Sequence, residues 1–307
     1  MDEREWLADR FEEHRGRLRG VAYRMLGSLS EADDAVQDAW LRLSRSEASE
    51  VDNLGGWLTT TVGRVCLNRL RSRNRRREEP LGVHVPDPLI SADGALQPEE
   101  EVLLADSVGL ALLVVLDTLA PAERLAFVLH DMFELPFEEI APMVGRTPAA
   151  ARQLASRARR RVSGAKVPAA DTDLPRQRAV VEAFFAAARG DDFDALVAVL
   201  DPDVVLRLDT GARRPAASLM VRGAPAVARQ TLSGLQAALR VADLHPALVN
   251  GAAGMVVTVR GRPLTVMGFT IADGRIAEID AVADPDRVAR IAAAVLDDEL
   301  PHGQREG

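Results

Sequence analysis

The sequence predicts a multidomain protein in which two all-α domains precede a C-terminal α+β domain with a curved antiparallel sheet. Three observations predict this fold class. Apolar residues recur at three- and four-residue spacing through most of the first half of the chain, as in amphipathic helices. Three prolines between Pro80 and Pro88 interrupt that pattern and exclude a helix there. Beyond residue 200, short runs rich in Val and Ile alternate with turn residues, which indicates strands.

The same changes of pattern set the expected domain boundaries. We expect an all-α domain at 1–79, an extended Pro-rich linker at 80–100, a second all-α domain at 101–165, a short linker at 166–175, the α+β domain at 176–293 and a tail at 294–307. In the α+β domain the pattern predicts helices at 176–189, 193–200 and 223–240, and strands at 204–208, 255–259, 264–271 and 276–282. Asp273-Gly274 is typical of a two-residue hairpin turn.

Charge is segregated along the chain. The net charge of −8 argues against a uniformly basic protein, but DNA contact needs only a local basic surface. Two segments, Arg64–Arg77 and Arg146–Lys166, are rich in arginine and contain no acidic residue, whereas the acids cluster elsewhere, as at Asp33-Asp34 and Glu138-Glu139. This segregation favours two separate nucleic-acid contacts.

Composition excludes several classes of protein. No apolar run approaches the roughly 18–20 residues of a membrane span, and the acidic N-terminus does not resemble a signal peptide. A single cysteine, Cys66, excludes an internal disulfide and suits a reducing compartment. We therefore expect a cytoplasmic protein that has no membrane partner, no cofactor and no metal site.

The segment from Phe137 to Arg161 predicts a helix-turn-helix. Gly145 ends the first helix, Thr147 is a suitable N-cap, and Pro148 fits the first position of a second helix. One face of that second helix is apolar, and the opposite face carries polar residues that can bind base edges or phosphates in the major groove. These are Arg152, Gln153, Ser156, Arg157 and Arg160. The alternative is a solvated, arginine-rich helix that only packs on its neighbour.

Several stretches of this region resemble region 4 of the extracytoplasmic-function (ECF) sigma factors of the sigma-70 family. They are Leu116–His130 (LDTLAPAERLAFVLH), Glu139–Ala141, Val144-Gly145, Ala151-Arg152 and Arg157–Arg159. The resemblance implies that the second helix reads the −35 promoter element and that the chain binds core RNA polymerase, here at the β flap.

The segment Ala22–Leu43 (AYRMLGSLSEADDAVQDAWLRL) resembles sigma region 2. Ala32, Val36, Ala39 and Leu43 form an apolar stripe, which leaves a set of acidic, amide and aromatic side chains on the other faces. The resemblance implies that this set docks on the β′ clamp helices of the polymerase: Asp33, Asp34, Gln37, Asp38 and Trp40. The alternative is an ordinary solvated acidic face with Trp40 partly buried.

The segment Asn53–Arg71 (NLGGWLTTTVGRVCLNRLR) is similar to the −10 recognition helix of the family and the loop before it. Strand opening requires a base to be flipped into a pocket while arginines hold the backbone. The loop candidates are Asp52, Asn53 and Leu54. The helix candidates are Asn68, Arg69, Arg71 and Arg73. Promoter DNA is therefore the expected second partner.

The last third resembles a SnoaL-like cone, and the whole chain resembles an ECF subgroup that carries such a domain fused at its C-terminus. The motifs are Gly82–Leu89 (GVHVPDPL) in the linker, Asp209–Arg213 (DTGAR) and Asp284–Val288 (DPDRV). The resemblance implies that the extra domain contacts the linker and regulates promoter binding within the chain. The candidates for this contact are His84, Pro86, Asp87, Pro88, Asp209, Gly211, Arg213, Asp284 and Asp286.

Other functions remain open at this point. SnoaL-like domains include enzymes that use a pocket His or Asp, and His245 is the one histidine of the domain outside its tail. We expect no catalytic residue, since a His–Asp pairing is not evident. The alternatives are a SnoaL-like enzyme or ligand sensor fused to a DNA-binding arm, or a different helix-turn-helix regulator. A small ligand in the C-terminal pocket could shift the contact with the linker if it binds two arrangements with different affinity.

Overall fold

The computed structural model describes residues 3–45, 53–76, 83–92, 109–165, 168–211 and 213–296. The chain divides into two compact units, and each unit contains two segments of the sequence. The first comprises Met1–Pro80 and Leu112–Val167, and the second comprises Leu81–Ala111 and Pro168–Gly307. Most of the predicted linker thus belongs to the same unit as the α+β fold.

The first unit is helical. Its N-terminal segment forms α1 (Glu3–Leu26), α2 (Leu29–Leu43) and α3 (Leu54–Arg76), which pack on one another. The second segment contains α4 (Leu110–Asp117, which starts two residues before this unit), α5 (Pro121–Phe127), a π-helical turn (Val128–Met132), α6 (Phe137–Val144) and α7 (Pro148–Gly164). The predicted apolar stripe of α2, Ala32, Val36, Ala39 and Leu43, is buried. This burial fixes which side chains of α2 face outward.

The second unit is an α+β fold with a seven-stranded sheet. Its helices are α8 (Leu174–Arg189), α9 (Phe193–Val199), α10 (Ala224–Leu239) and α11 (Pro285–Leu296). Its strands are β1 (Ile90–Ala92), β2 (Leu200–Asp209), β3 (Leu219–Arg222), β4 (Ala242–Val249), β5 (Ala252–Val259), β6 (Arg262–Ala272) and β7 (Arg275–Val282). The strand order is β1-β4-β5-β6-β7-β2-β3. All neighbouring strands are antiparallel except β2 and β7, which run parallel.

One face of this sheet carries the apolar core. Val204 and Leu206 of β2, Ile279 of β7 and Phe269 of β6 pack with Phe184 and other apolar residues of α8, α9 and α10. The other face meets α11, which packs on β6 and on β1. Because successive side chains of a strand alternate between faces, Arg207, Asp209 and Asp280 belong to the face on the side of α11.

The linker segment forms a strand that the sequence did not predict. Ile90, Ser91 and Ala92 pair antiparallel with Val249, Leu248 and Ala247 of β4. A run of three residues after two prolines gives no strand periodicity, and its pairing partner is remote in the sequence. Strand β3, which is short, and helix α11 were also not predicted. The segment of β4 around His245 could be interpreted only as a strand or a bend, because Pro246 interrupts its pattern.

Candidate functional site

Helix α7 presents a polar face opposite a buried apolar one. Arg152, Gln153, Arg157 and Arg160 are exposed and Ser156 is half-buried, whereas Ala151, Ala155 and Ala158 are buried. The Thr147 hydroxyl accepts a hydrogen bond from the Ala150 amide at 3.3 Å, so it caps the helix as expected. Gly145 ends α6 with a φ of +67°, in the left-handed region. These features produce a helix-turn-helix whose second helix can enter a major groove.

Two other arginines of α7 hold the helix against its own unit. Arg161 Nη1 lies 2.8 Å from the buried Glu123 carboxylate of α5, and Arg159 Nε lies 2.5 Å from Asp131. The guanidinium of Arg152 stacks over the Phe137 ring, with its carbon 5.2 Å from the ring centroid. The arginines of this segment therefore divide into Arg159 and Arg161, which are ion-paired within the unit, and the predicted DNA contacts, although both groups are exposed.

The arginines of α3 divide in a similar way. Asn68 and Arg71 are exposed. Arg69 Nη2 lies 2.8 Å from Asp38 Oδ2, and its Nη1 donates to the Glu31 carbonyl oxygen. Arg73 forms an ion pair with Glu31 and donates to the Leu26 carbonyl oxygen at 3.1 Å. Two of the predicted DNA contacts, Arg69 and Arg73, are therefore ion-paired with residues of α2.

The loop before α3 lines a pocket. Asn53 Oδ1 accepts a hydrogen bond from the Gly56 amide at 3.0 Å, which caps the helix, and Leu54 is half-buried. Asp52 lies outside the described residues. A cavity of about 360 Å³ opens beside Asn53. Its lining residues come from α1, the start of α3 and the segment around Pro136: His14, Arg17, Leu18, Asn53, Gly55, Gly56, Thr59, Glu134, Leu135, Pro136 and Glu139.

The predicted docking residues of α2 share an outward surface. Asp33, Asp34 and Gln37 are exposed, and Asp33 Oδ1 pairs with Arg19 Nε at 2.7 Å. Trp40 is half-buried against Phe11, with ring centroids 5.0 Å apart. Leu41, which the sequence reasoning missed, is 41% exposed and follows Trp40 directly. Leu41 thus adds one exposed apolar side chain to the acidic surface of α2.

In the second unit, the carboxylate of Asp209 binds the linker segment. Asp209 Oδ2 accepts a hydrogen bond from the Val85 amide at 2.9 Å, lies 3.1 Å from His84 Nδ1 and pairs with Arg287 Nη1 at 2.6 Å. Burial alone would raise the pKa of Asp209. The hydrogen bonds from His84, Val85 and Gly211 and the charge of Arg287 outweigh burial and hold this pKa well below its usual range.

Arg287 connects the same carboxylate to a second linker residue. Its Nε lies 2.6 Å from Asp87 Oδ1, and its Nη2 donates to the Val85 carbonyl oxygen. Burial acts to lower the pKa of Arg287, but Asp87 and Asp209 raise it, so the guanidinium stays charged. The sequence reasoning selected Asp284 and Asp286 on the same motif but missed Arg287. The signal that could have identified Arg287 is its position as the one cation in the acidic motif Asp284–Val288.

The remaining predicted residues of this contact lie close by. Pro86 and Pro88 are buried. Gly211 adopts a φ of +74° and donates its amide to Asp209 Oδ1 at 2.9 Å. Asp284 caps α11 by accepting the Arg287 amide, and Asp286 pairs with Arg213 at 2.8 Å on an exposed surface.

Two hydrogen bonds to the Leu89 backbone complete the contact with the linker. Asn250, in the turn between β4 and β5, donates its amide to the Leu89 carbonyl oxygen at 2.8 Å, and its Oδ1 accepts the Leu89 amide at 3.1 Å. Asn250 is buried and has a φ of +49°. We call these contacts of residues 84–92 with Asp209, Arg287, Asn250 and β4 the linker clamp.

Comparisons with known proteins agree with this geometry. The Sigma-70 region 2 family model matches residues 10–76, and the Sigma-70 region 4 model matches residues 109–162. The chain is 37% identical over 286 residues to the ECF RNA polymerase sigma factor SigJ of Mycobacterium tuberculosis H37Rv, covering 90% of this chain and 91% of SigJ. This chain belongs to the ECF sigma factors.

One further relative and the crystal structure of SigJ also match the C-terminal domain. The probable ECF sigma factor SigI of M. tuberculosis is 33% identical over 296 residues, covering 95% of this chain and 98% of SigI. The crystal structure of M. tuberculosis SigJ superposes with a TM-score of 0.71 and 34% identity, covering 92% of this chain and 98% of SigJ. The predicted family and the predicted fold class of this sigma factor, including its fused α+β domain, are thereby confirmed.

The C-terminal domain of this sigma factor also contains a buried ionic cluster that the sequence reasoning missed. Arg207 lies 3.0 Å from Asp280 and 3.2 Å from Glu278, so one cation serves two carboxylates. Burial, helped by the charge of Glu278, outweighs the opposing effect of Arg207 and raises the pKa of Asp280 to about 6. Within the described ranges, the side chains form no cluster suited to a metal ion, and no helix is long and apolar enough to cross a membrane.

Proposed function

We propose that this ECF sigma factor brings core RNA polymerase to promoters that α3 and α7 read at the −10 and −35 elements, and that the linker clamp regulates this reading from within the chain. The observation that carries the regulatory part is the linker clamp itself. It grips the segment between the two DNA-reading helices through Asp209, Arg287 and a strand pairing. A domain that holds the connecting segment can restrict how that segment extends.

Polymerase docking is assigned to α2 and to the region 4 segment. The exposed carboxylates Asp33 and Asp34, the half-exposed Asp38 and the neighbouring Trp40 and Leu41 suit a basic partner helix, for which we propose the β′ clamp helices. The β flap is proposed as the partner of the region 4 segment. On α7, the exposed Arg152, Gln153, Arg157 and Arg160 are proposed as −35 contacts, with Ser156 at the edge of the same face.

We propose a regulatory rather than a catalytic role for the C-terminal domain. His245 Nε2 lies 3.1 Å from the Thr258 hydroxyl, and its strand places it on the sheet face opposite the apolar core. This position separates the one histidine of the described C-terminal domain from the apolar core face that α8, α9 and α10 cover. The contacts of His245 therefore do not favour acid–base catalysis on a small ligand of this domain.

The function is tested by promoter-dependent transcription with core RNA polymerase. The full chain is compared with a truncation that ends near Lys166 and with the full-length Arg287→Ala variant. The matched control is Arg290→Ala, an exposed arginine on the same helix. We expect transcription from all four proteins, with rates altered by the truncation and by Arg287→Ala in the same direction. Absence of transcription by every protein, including on the promoter upstream of its own gene, would exclude the sigma function.

A further inference from the structure

Helix α3 has one face that is exposed and basic and another that is tied to α2. Arg64, Asn68, Arg71 and Arg75 are exposed and recur at spacings of four, three and four residues, so they share one face. Arg69 and Arg73 lie on the side of α2 and are ion-paired with Asp38 and Glu31. Only the first set is available to a phosphate backbone in the arrangement that the structure describes.

The carboxylates that hold Arg69 are also proposed to bind polymerase. Arg69 Nη2 lies 2.8 Å from Asp38 and its Nη1 lies 3.9 Å from Asp34. The side chains of Asp38 and Asp34 are 45% and 70% exposed. Pairs this exposed contribute about 0–1 kcal/mol, so a basic partner surface can displace Arg69 at small cost.

We propose that Arg69 is a shared residue that pairs with Asp38 in the free chain and binds a promoter phosphate once a basic polymerase surface takes that carboxylate. This inference rests on the proposed function, which assigns α2 to polymerase and α3 to DNA. It also adds Arg64 and Arg75 to the DNA-facing residues of the free chain. Polymerase docking and DNA binding are then coupled reciprocally through one guanidinium.

The test uses two isosteric variants of the full-length chain. Asp38→Asn and Asp33→Asn each remove one negative charge from α2 and each break one arginine pair. Only Asp38→Asn loosens an arginine of α3, because Asp33 pairs with Arg19 of α1 at 2.7 Å. Arg69 then keeps only its Nη1 contacts with the Glu31 carbonyl oxygen and with Asp34. The probe is a fluorescein-labelled, mixed-sequence single-stranded DNA oligonucleotide, since phosphate contacts do not depend on sequence. Binding is measured without polymerase over a series of salt concentrations.

We expect Asp38→Asn to bind this DNA about 3–5-fold more tightly than Asp33→Asn, the change that corresponds to an exposed ion pair. The salt dependence of its affinity should steepen by about 0.7 in logarithmic slope, the value for one added phosphate contact on a single strand. In the double variant Asp38→Asn/Arg69→Gln the gain should disappear. Arg69→Gln retains a polar side chain able to donate a hydrogen bond to the amide that Asp38→Asn introduces, and thermal unfolding of each variant verifies the fold.

Two failures are distinguishable. Equal affinities of Asp38→Asn and Asp33→Asn, with Arg71→Ala still weakening DNA binding, would overturn the sharing of Arg69 and leave α3 as the DNA-binding helix. If Arg64→Ala and Arg71→Ala also bind as tightly as the wild type, the assignment of α3 to DNA is wrong. A gain in Asp38→Asn that survives Arg69→Gln would likewise overturn the inference, because the released charge would not be that of Arg69.

Discussion

The guanidinium of Arg287 lies between two carboxylates, with its Nη1 2.6 Å from Asp209 and its Nε 2.6 Å from Asp87. These carboxylates are remote from each other in the sequence, yet both depend on one cation. Asp209 belongs to the sheet and Asp87 to the linker, so Arg287 joins the α+β fold to the segment it encloses. Within the linker clamp, Arg287 of α11 is thus the cation that bridges a carboxylate of the sheet and a carboxylate of the linker.

Arg287→Ala should open the linker clamp. The side chains of Asp87 and Asp209 are only 16% and 4% exposed, and removal of the cation leaves both charges without their shared partner. Breaking a buried pair in this way costs about 3–5 kcal/mol. We expect a lower free energy of unfolding and faster hydrogen exchange of the Val85 and Leu89 amides, measured by mass spectrometry. Unchanged protection of both amides, with Arg290→Ala as the matched control, would contradict this role.

Gly211→Ala should disrupt the same contact through sterics. A Cβ at position 211 would lie 1.8 Å from Asp284 Oδ2, and the φ of +74° adds strain for any other residue. Gly261→Ala is the matched control, since Gly261 has a φ of +71° and a Cβ added there would meet nothing within 4 Å. The left-handed conformation costs Ala about 1–2 kcal/mol at either site. Chemical denaturation should show a larger loss for Gly211→Ala, and equal losses would mean that Asp284 moves aside freely.

The sequence predicted local features well and long-range pairs poorly. The helix-turn-helix was predicted because Gly145, Thr147 and Pro148 end or start a helix at their own positions, an effect that depends only on neighbouring residues. Arg69 and Arg71 are the same residue type on the same helix, yet one pairs with Asp38, 31 residues away, and the other is exposed. Arg287 was missed for the same reason, because its partner Asp87 lies 200 residues away. Such pairings depend on the tertiary fold, which no local pattern specifies.

Substitution of two arginines of α7 should affect promoter binding and protein stability separately. Arg157 is exposed, so Arg157→Ala should leave the unfolding midpoint nearly unchanged and weaken binding of the holoenzyme to promoter DNA. Arg161, itself 56% exposed, pairs with Glu123, whose side chain is only 9% exposed, so Arg161→Ala should lower stability by about 1 kcal/mol. Thermal unfolding and a promoter-binding titration measure the two effects. The assignment fails if Arg157→Ala destabilises the protein as much as Arg161→Ala does.

Asp280 should make the stability of the C-terminal domain fall as the pH rises from about 4 to above 6. Its folded pKa of about 6 exceeds the value of 3.8 for an unperturbed aspartate, so between these values the folded state binds more protons than the unfolded state. The stabilisation is complete below the unfolded pKa and is lost as the pH rises through the folded one. Asp209 contributes in the opposite sense, since its depressed pKa favours the folded state above about pH 4.

Asp280→Asn tests this dependence with a side chain of the same shape. The variant cannot ionise, and Arg207 keeps Glu278 as its partner at 3.2 Å. We expect the free energy of unfolding of the wild type to fall by about 1–3 kcal/mol between pH 5 and pH 8 relative to that of the variant, following the linkage of pKa to stability. Urea denaturation of both proteins across this range measures the difference. Parallel curves would show that Asp280 stays ionised, because Arg207 would then compensate fully for its burial.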